Sequence, residues 1–424
     1  MTLSRRELLH LSAASTAGLL APRSSQAQSP SPAAEVPAAI LALRPMTDGV
    51  SPITIDEHRA RIVRAQALMR SEDLDAMVLA SGSGLEYFTG AEWGLSERFF
   101  GAVITRDGDP AWVTPAFEKA RALEQIQIGT DVRAWEEHES PSALVASILR
   151  DRKASGRVGI EETMPFTFAN EIGAALASAR LVSATPVTAG CRVIKDAHEL
   201  ALMRRANEIT MAAHRAVFQS LREGMTQAQA SGLSAQAHRK LGMGGGALVL
   251  FGPDAAFPHG TTRPRPLRAG DVVLIDGGGR LHGYASDITR TGVFGAPPTD
   301  RQRRLWDVVR QAQKAAFEAA RPGVEAQSVD AAGRRVVDEA GFGPDYKHFT
   351  HRVGHGIGID GHEWTNLVRG NTTKLRPGMC FSDEPGIYIP GEMGIRHEDC
   401  IFITETGAEN FTKWTGSPEE PAIV

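Results

Sequence analysis

The stretch that decides the fold reads Val272-Val-Leu-Ile-Asp-Gly-Gly-Gly279 and then, after a short gap, Tyr284-Ala-Ser-Asp-Ile-Thr-Arg-Thr291. The apolar run before Asp276 predicts a buried strand, and a second strand should begin at Asp287. We expect Asp276 to end its strand and the glycines to form a tight turn, so that a hairpin brings both carboxylates to one face. The glycines lack the Gly-Lys-Ser/Thr ending of a phosphate loop. Neighbouring carboxylates repel unless a cation lies between them, so the pair predicts a cation site.

A second stretch is unusually rich in histidine and glycine, running from His348 through His351 and His355 to His362 and Glu363. Glycines at 354, 356 and 358 argue against a helix, so we predict a loop that runs into a strand over 357–359. A single buried histidine is usually only hydrogen-bonded. A cluster this dense, among glycines that let other groups approach, favours a functional site.

Two further motifs each place a glutamate within an apolar strand run: Ser382-Asp-Glu-Pro-Gly-Ile-Tyr388 and Gly394-Ile-Arg-His-Glu-Asp399. A carboxylate in such a place is costly unless it is ionised against a partner, and a metal ion is the strongest partner available. A salt bridge with Arg396 would explain either Glu384 or Glu398 alone. It does not explain both of them together with two aspartates and a histidine.

Taken together, these motifs resemble the creatinase/prolidase-type (M24) metallopeptidases, the pita-bread family that includes methionine aminopeptidase, aminopeptidase P and prolidase. The resemblance covers about 195–412 and implies an α+β fold with a curved antiparallel sheet. Residues before it resemble the smaller α/β N-terminal domain of the aminopeptidase P and prolidase branch, which commonly helps to form a homodimer. We therefore expect a creatinase-like N-terminal domain at 46–190 and a pita-bread metallopeptidase domain at 195–415.

The resemblance also implies roles for individual residues. Five would bind two divalent metal ions, for which the family favours Mn²⁺ with Zn²⁺, Co²⁺ or Fe²⁺ as alternatives: Asp276, Asp287, His355, Glu384 and Glu398. Glu384 would transfer a proton, His362 would steady the carbonyl oxygen, and His259 would lie near the substrate terminus or leaving group. His351, Tyr388 and Arg396 would organise the site and contact the substrate. Retention of all five ligands argues against creatinase itself, whose site works without metal.

The expected activity is therefore hydrolysis of Xaa-Pro peptide bonds by a metal-bridged hydroxide, as a dipeptidase or aminopeptidase. Two alternatives remain. One is an enzyme of the same fold that acts on another small amide or metabolite, since Trp364-Thr365-Asn366 stand where many prolidases have proline or glycine. The other is a non-catalytic binding protein on this fold. An NAD-type oxidoreductase is disfavoured, because no complete GxGxxG motif follows an early strand.

The first residues differ in character from the rest of the chain. Paired arginines, Arg5 and Arg6, precede a mildly apolar run, and Ser25-Gln-Ala27 offers a small-residue cleavage site. This pattern predicts a twin-arginine signal at 1–27, a flexible leader at 28–45, and export to the periplasm or outside by the twin-arginine machinery. A disordered N-terminus or a membrane anchor are the alternatives, but the run is too short to cross a bilayer.

Composition excludes several other classes. Across 424 residues the formal net charge is −4, so no strongly basic face for nucleic acid is implied. Only three cysteines are present, too few for a disulfide framework, although Cys380 and Cys400 could pair if their strands are neighbours. His198, His214, His238 and His282 lie outside the motifs, and we interpret them as non-catalytic.

Overall fold

The computed structural model describes residues 36–176 and 178–422. The predicted signal at 1–27 lies outside these residues, as does the first part of the predicted leader, residues 28–35. Within the leader, Ala38–Leu41 forms a short helix whose Ile40 is fully buried. Residues 38–45 therefore differ from the flexible segment predicted there, because an apolar side chain anchors them. Among the described residues, no helix is long and apolar enough to cross a membrane.

The N-terminal part is a six-stranded mixed sheet between two layers of helices. Residues of strand Ala76–Ala80 alternate between the faces: Met77 and Leu79 pack on one side, while Ala76 and Val78 pack on the other. This alternation follows from the period of two in a strand. In spatial order the strands are Val132–Trp135, Ala111–Pro115, Gly101–Thr105, Ala76–Ala80, Arg157–Ile160 and Arg180–Ser183.

Helices cover both faces of this sheet and confirm the predicted α/β organisation. Helix Ile55–Ser71 begins with a capping box in which Thr54 and Glu57 bond to each other's backbone N–H groups. It packs on the face of Met77, while Pro141–Asp151 packs on the face of Val78. The remaining helices of this part are Ser83–Thr89, Lys119–Gln125, Phe166–Ala175 and Thr185–Arg192.

The C-terminal part begins with helix Ala197–Ser220 and contains only antiparallel strand pairs among its described residues. One sheet is built from Gly244–Phe251, Val272–Leu281, Tyr284–Ala285 and Ile288–Val293. A second contains Glu363–Leu367, Gly354–Gly356, Cys380–Asp383, Asp399–Ile403 and Ala408–Asn410. A two-stranded sheet pairs Gly386–Ile389 with Met393–Arg396.

Helices pack against these sheets and begin at well-formed caps. Gln227–Lys240 is capped by Thr226 and Asp300–Ala319 by Thr299, each with a complete capping box. Helices Asp300–Ala319 and Ala326–Glu339 contribute Val309 and Val329 to a core that also holds Phe381 and Ile401 of the second sheet. This core supports the strands that carry the site.

Two local predictions are wrong. Asp276 does not end its strand, which continues to Leu281, and the three glycines lie in the strand rather than in a turn. Neighbouring strands approach them on both sides, so that a Cβ at Gly278 would lie 1.8 Å from the carbonyl oxygen of Ser286. Glycine is needed here for close approach of backbones. The strand predicted at 357–359 instead covers Gly354–Gly356, because the chain leaves the sheet and the Gly358 carbonyl accepts a hydrogen bond from Ala285.

Candidate metal centre

The two larger C-terminal sheets meet at Thr289, and this junction sets two of the predicted ligands, Asp276 and Glu398, side by side. Asp276 is the register partner of Thr289, and Thr289 forms an isolated bridge with Glu398 on its other side. Its hydroxyl lies 2.5 Å from Asp276 Oδ1 and 2.7 Å from Glu398 Oε2. Thr289 therefore spaces two carboxylates that are 122 residues apart in the chain (398 − 276).

The remaining predicted ligands converge on the same place. Asp287 precedes strand Ile288–Val293, His355 lies in Gly354–Gly356, and Glu384 follows Cys380–Asp383. Their ligand atoms form overlapping triplets, within each of which all atoms lie within 4.8 Å of one another. This spacing is close to twice a metal–ligand distance of about 2.1 Å. The triplets are Asp276, Asp287 and Glu398; His355, Glu384 and Glu398; and Asp287, His355 and His362.

Neighbouring groups fix the orientation of His355 and Glu384. His355 Nδ1 donates to the carbonyl of Gly356 at 3.0 Å, which leaves Nε2 as the ring atom with a lone pair, 3.3 Å from Glu384 Oε1. Ser382 Oγ accepts from the backbone N–H of His355 at 3.0 Å and donates to Glu384 Oε1 at 3.1 Å. A neutral imidazole held in one tautomer by a backbone carbonyl is the usual arrangement of a metal-binding histidine.

The cluster contains more negative than positive side chains. Burial, followed by the charges of neighbouring carboxylates, raises the pKa of Asp287 and of Glu398 well above their usual range. Burial likewise raises the pKa of Glu384 to about 7. Burial also tends to raise the pKa of Asp276, but the adjacent Arg396 guanidinium holds it below its ordinary value. One arginine cannot neutralise four carboxylates, so a bound cation is the fitting complement.

A hydrogen-bonded chain runs from Asp276 through Arg396 and Tyr388 to His351. Arg396 lies 2.5 Å from Asp276 Oδ2 and donates to the Tyr388 hydroxyl at 2.9 Å. His351 Nδ1 donates to the Arg352 carbonyl, so its Nε2 accepts from the Tyr388 hydroxyl at 2.7 Å. Burial lowers the pKa of His351 to about 3, which agrees with a neutral ring. These predicted residues therefore form one unit beside the carboxylates.

The other two predicted histidines lie on the more exposed side of the site. The ring of His362 lies 3.8 Å from the ring of His355, between centroids, and its Nδ1 accepts from Arg352 at 3.2 Å. His259 is exposed, and its charge contributes, after burial and Arg352, to lowering the pKa of His362. The adjacent Pro258 carbonyl accepts from Arg396 at 3.4 Å. His362 therefore faces both the ligand cluster and solvent, which suits a contact with substrate.

Groups outside the site have other partners. His214 Nε2 donates to the carbonyl of Ile288 at 2.9 Å, and His198 pairs with Glu57 at 2.7 Å. Cys380 and Cys400 do lie on neighbouring strands, but Cys400 is opposite Ser382, and both thiols are free and buried. The possible pairing of these cysteines is therefore not found.

Sequence reasoning missed three residues of this site: Thr289, Ser382 and Arg352. Thr289 could have been found, because it lies two positions after Asp287 and a strand has a period of two. Ser382 has the same relation to Glu384. Arg352 offered no such signal, since its contact with His362 depends on how the intervening loop folds.

A mixed α/β domain is followed by antiparallel sheets that bring together five side chains able to bind metal, an arrangement typical of hydrolytic metalloenzymes. Residues 201–405 match the metallopeptidase family M24, and residues 61–194 match the creatinase/prolidase N-terminal domain. The chain belongs to the M24 family, so it has the pita-bread fold and is a metallopeptidase.

Individual relatives agree over nearly their whole length. The probable dipeptidase PepE of Mycobacterium tuberculosis is 37% identical, over 82% of this chain and 92% of that protein. The Xaa-Pro dipeptidase of Lactobacillus delbrueckii subsp. lactis is 33% identical, over 82% of this chain and 95% of that protein. The crystal structure of dipeptidase PepE from Mycobacterium ulcerans aligns with a TM-score of 0.78 at 32% identity, covering 87% of this chain and 99% of that one.

Proposed function

We propose that this metallopeptidase hydrolyses the peptide bond of Xaa-Pro dipeptides with the help of two divalent metal ions. The observation that carries the proposal is the convergence of Asp276, Asp287, His355, Glu384 and Glu398 into overlapping triplets of ligand atoms. The similarity to a Lactobacillus delbrueckii Xaa-Pro dipeptidase over 82% of this chain supports the substrate class.

The donor set fits such ions. Four carboxylates and one imidazole offer mainly hard oxygen ligands, and the buried carboxylates lack enough positive charge of their own. We propose Mn²⁺ as the native metal, because hard oxygen donors suit Mn²⁺ better than they suit softer metal ions. When bound, such ions supply Lewis-acid activation of water and of the scissile carbonyl.

The protein's own groups would then handle the proton and the developing charge. Glu384 is held by Ser382 with one oxygen 3.3 Å from His355 Nε2, where it can accept a proton and pass it to the leaving nitrogen. His362 can donate to the carbonyl oxygen as negative charge develops there. His259, exposed near His362, would contact the end of the substrate, and the unit of Arg396, Tyr388 and His351 would hold the cluster and substrate in place.

A second candidate is hydrolysis of dipeptides without proline. The relative with 37% identity is a probable dipeptidase whose name does not mention proline. Trp364, about half exposed, lies in strand Glu363–Leu367, two positions beyond His362. A large aromatic at this rim can favour a bulky side chain over a proline ring.

The test is a substrate panel on enzyme reconstituted separately with Mn²⁺, Zn²⁺, Co²⁺ and Fe²⁺. It should contain Ala-Pro, Gly-Pro, Ala-Leu, a longer Ala-Pro-Gly peptide and a non-peptide amide. We expect the highest kcat/KM on the Xaa-Pro dipeptides with Mn²⁺. Faster cleavage of Ala-Leu would favour the second candidate, and equal rates on the tripeptide would point to an aminopeptidase instead. No hydrolysis with any metal would overturn both candidates.

We also propose that the protein is exported by the twin-arginine route and acts in the periplasm or outside the cell. The paired Arg5 and Arg6 ahead of a small-residue cleavage site support this. A reporter fused after residue 27 should be exported, and the changes Arg5→Lys and Arg6→Lys together should retain it in the cytoplasm. Unchanged export would contradict the proposal.

Finally, we propose that the enzyme is a homodimer, because its N-terminal part matches the creatinase/prolidase N-terminal domain. Light scattering on the purified protein should give the mass of two chains. A monomeric mass at enzyme concentrations that retain full activity would exclude a functional dimer.

A further inference from the structure

Next to the metal-ligand cluster lies a second buried charge cluster, built around Glu363. Its Oε1 accepts from Arg192 Nε at 3.2 Å and from the terminal nitrogen at 2.6 Å. Its Oε2 accepts from Lys195 Nζ at 2.8 Å. All three residues are less than a tenth exposed. Arg192 ends helix Thr185–Arg192 of the N-terminal domain, so the cluster joins the two domains.

The same carboxylate also shapes the loop that leads into it. Glu363 Oε1 accepts from the backbone N–H groups of Ile359 at 2.9 Å and Asp360 at 3.2 Å. Asp360 in turn accepts from Arg192 at 2.5 Å and from Ser83 at 2.7 Å. Two residues of the loop 359–363, Asp360 and Glu363, therefore both accept hydrogen bonds from Arg192.

The packing around this loop leaves little freedom. A Cβ at Gly358 would lie 2.7 Å from Lys195 Cε and 2.8 Å from Glu363 Oε2. Burial opposes ionisation of Glu363, but Lys195 and Arg192 overcome this and lower its pKa to about 2. The carboxylate is therefore fixed by charge, by hydrogen bonds and by contact.

His362 is the residue immediately before Glu363, and its own side chain is exposed. Among the described residues its only side-chain hydrogen bond is the one from Arg352, together with the ring contact to His355. The position of its backbone is therefore set mainly by the loop that Glu363 closes.

We propose that Glu363, through Arg192 and Lys195, is a positioning residue that holds His362 against the metal centre, so that the N-terminal domain contributes to catalysis from behind the site. The inference rests on the proposed role of His362 at the substrate carbonyl. In this role Glu363 differs from a purely structural ion pair, because its removal must affect the reaction through His362.

The molecule provides a matched control. Arg61 of the N-terminal helix Ile55–Ser71 pairs with Glu199 of helix Ala197–Ser220 at 3.4 Å, and both side chains are less than a tenth exposed. Tyr284 donates to Glu199 at 2.7 Å. This pair joins the same two domains but makes no hydrogen bond to the loop 359–363. Glu199→Gln therefore tests loss of an equally buried interdomain pair.

The experiment compares Glu363→Gln, Glu199→Gln, His362→Ala and the double variant His362→Ala/Glu363→Gln on Ala-Pro with the Mn²⁺ enzyme. We expect Glu363→Gln to lower kcat by about 10- to 100-fold with little change in KM or metal content. Glu199→Gln should change kcat less than about threefold. In the His362→Ala background, Glu363→Gln should cause almost no further loss, because both changes remove one interaction.

A second readout does not depend on activity. Hydrogen exchange at the amides of Ile359 and Asp360 should accelerate in Glu363→Gln and stay unchanged in Glu199→Gln. If Glu363→Gln does not fold, Asp360→Ala should also lower kcat several-fold, because it removes a carboxylate, about a third exposed, from Arg192 and Ser83.

The outcomes separate the two proposals. If His362→Ala keeps full activity, the role proposed for His362 fails. If His362→Ala is impaired but Glu363→Gln keeps its kcat, or if Glu363 and Glu199 variants lose kcat alike, the positioning inference fails while the proposed function stands. If the losses of kcat in His362→Ala and Glu363→Gln add in full in the double variant, Glu363 does not act through His362.

Discussion

Two buried charge clusters adjoin His362, and they differ in how far the chain itself compensates their negative charge. In the metal-ligand cluster, four carboxylates share one buried cation, Arg396, and burial raises the pKa of most of them. In the Glu363 cluster, one fully buried carboxylate has two cations, and its pKa falls to about 2. The first cluster has more negative than positive charge among its own residues, whereas the chain's own cations compensate the carboxylate of the second.

This difference separates a candidate ligand site from a cluster that holds a loop in place, although both contain buried carboxylates and cations. Burial of a charge is costly in either case, and what differs is where the compensation comes from. A carboxylate that the protein leaves uncompensated marks a place for a cation. A carboxylate that the protein compensates in full marks a place where geometry is being held.

The largest expected effect comes from breaking the first cluster at Asp287, which belongs to two of the ligand triplets. We expect Asp287→Ala to lose bound metal and to lower kcat/KM by on the order of 10³-fold, because several kcal/mol of charge stabilisation are removed. Metal content by mass spectrometry and hydrolysis of Ala-Pro would measure this. Asp307→Asn, on an exposed face of a helix, is the control. Full activity without metal loss in Asp287→Ala would contradict a two-metal site.

Acid unfolding probes the second cluster. The pKa of Glu363 is lowered from 4.5 to about 2, so its contribution to folding is present above about pH 4.5 and is lost as the pH falls towards 2. A shift of this size in a buried group corresponds to about 3 kcal/mol. We expect Glu363→Gln to lower the free energy of unfolding at pH 7 and to weaken its dependence on pH below 4.5. Parallel wild-type and variant curves would show that Glu363 is not specially stabilised.

In the metal-free enzyme, the carboxylates of the first cluster should make stability depend on pH with the opposite sign. Because the pKa of Glu384 is raised from 4.5 to about 7, the folded apoprotein holds a proton that the unfolded chain has lost. Stability of the apoprotein should therefore fall as the pH rises from about 4.5 to 7. At pH 7.5, Asp287→Asn should raise the melting temperature of the apoprotein by about 2 to 4 °C, since it removes a repelling charge. A lower melting temperature would mean that the carboxylates do not repel.

Ion pairs on the protein surface should contribute least to the free energy of unfolding. Arg301 and Glu392 lie 2.8 Å apart, but each side chain is at least a third exposed. We expect Glu392→Gln to change the free energy of unfolding by less than about 0.5 kcal/mol. Urea unfolding would measure the change, with Glu363→Gln beside it. A loss as large as that of Glu363→Gln would show that burial is not what distinguishes these pairs.

The sequence predicted the secondary structure well where the signal was local. The apolar run before Asp276 forms a strand as predicted, and the second strand begins at Ile288, one residue after its predicted start. The prediction failed at 277–279, where glycine signals a turn in most sequences. Here it serves the close approach of three strands, a contact that no local pattern shows.

By itself, the sequence determined which side chains could bind metal, because Asp276, Asp287, His355, Glu384 and Glu398 each lie in a distinctive local motif. Only the tertiary structure decided how they are spaced and what holds His362. Thr289 spaces two ligands only where two sheets meet, and Arg192 reaches Glu363 across 171 residues. Such contacts depend on how distant segments pack, and the local motifs do not specify that packing.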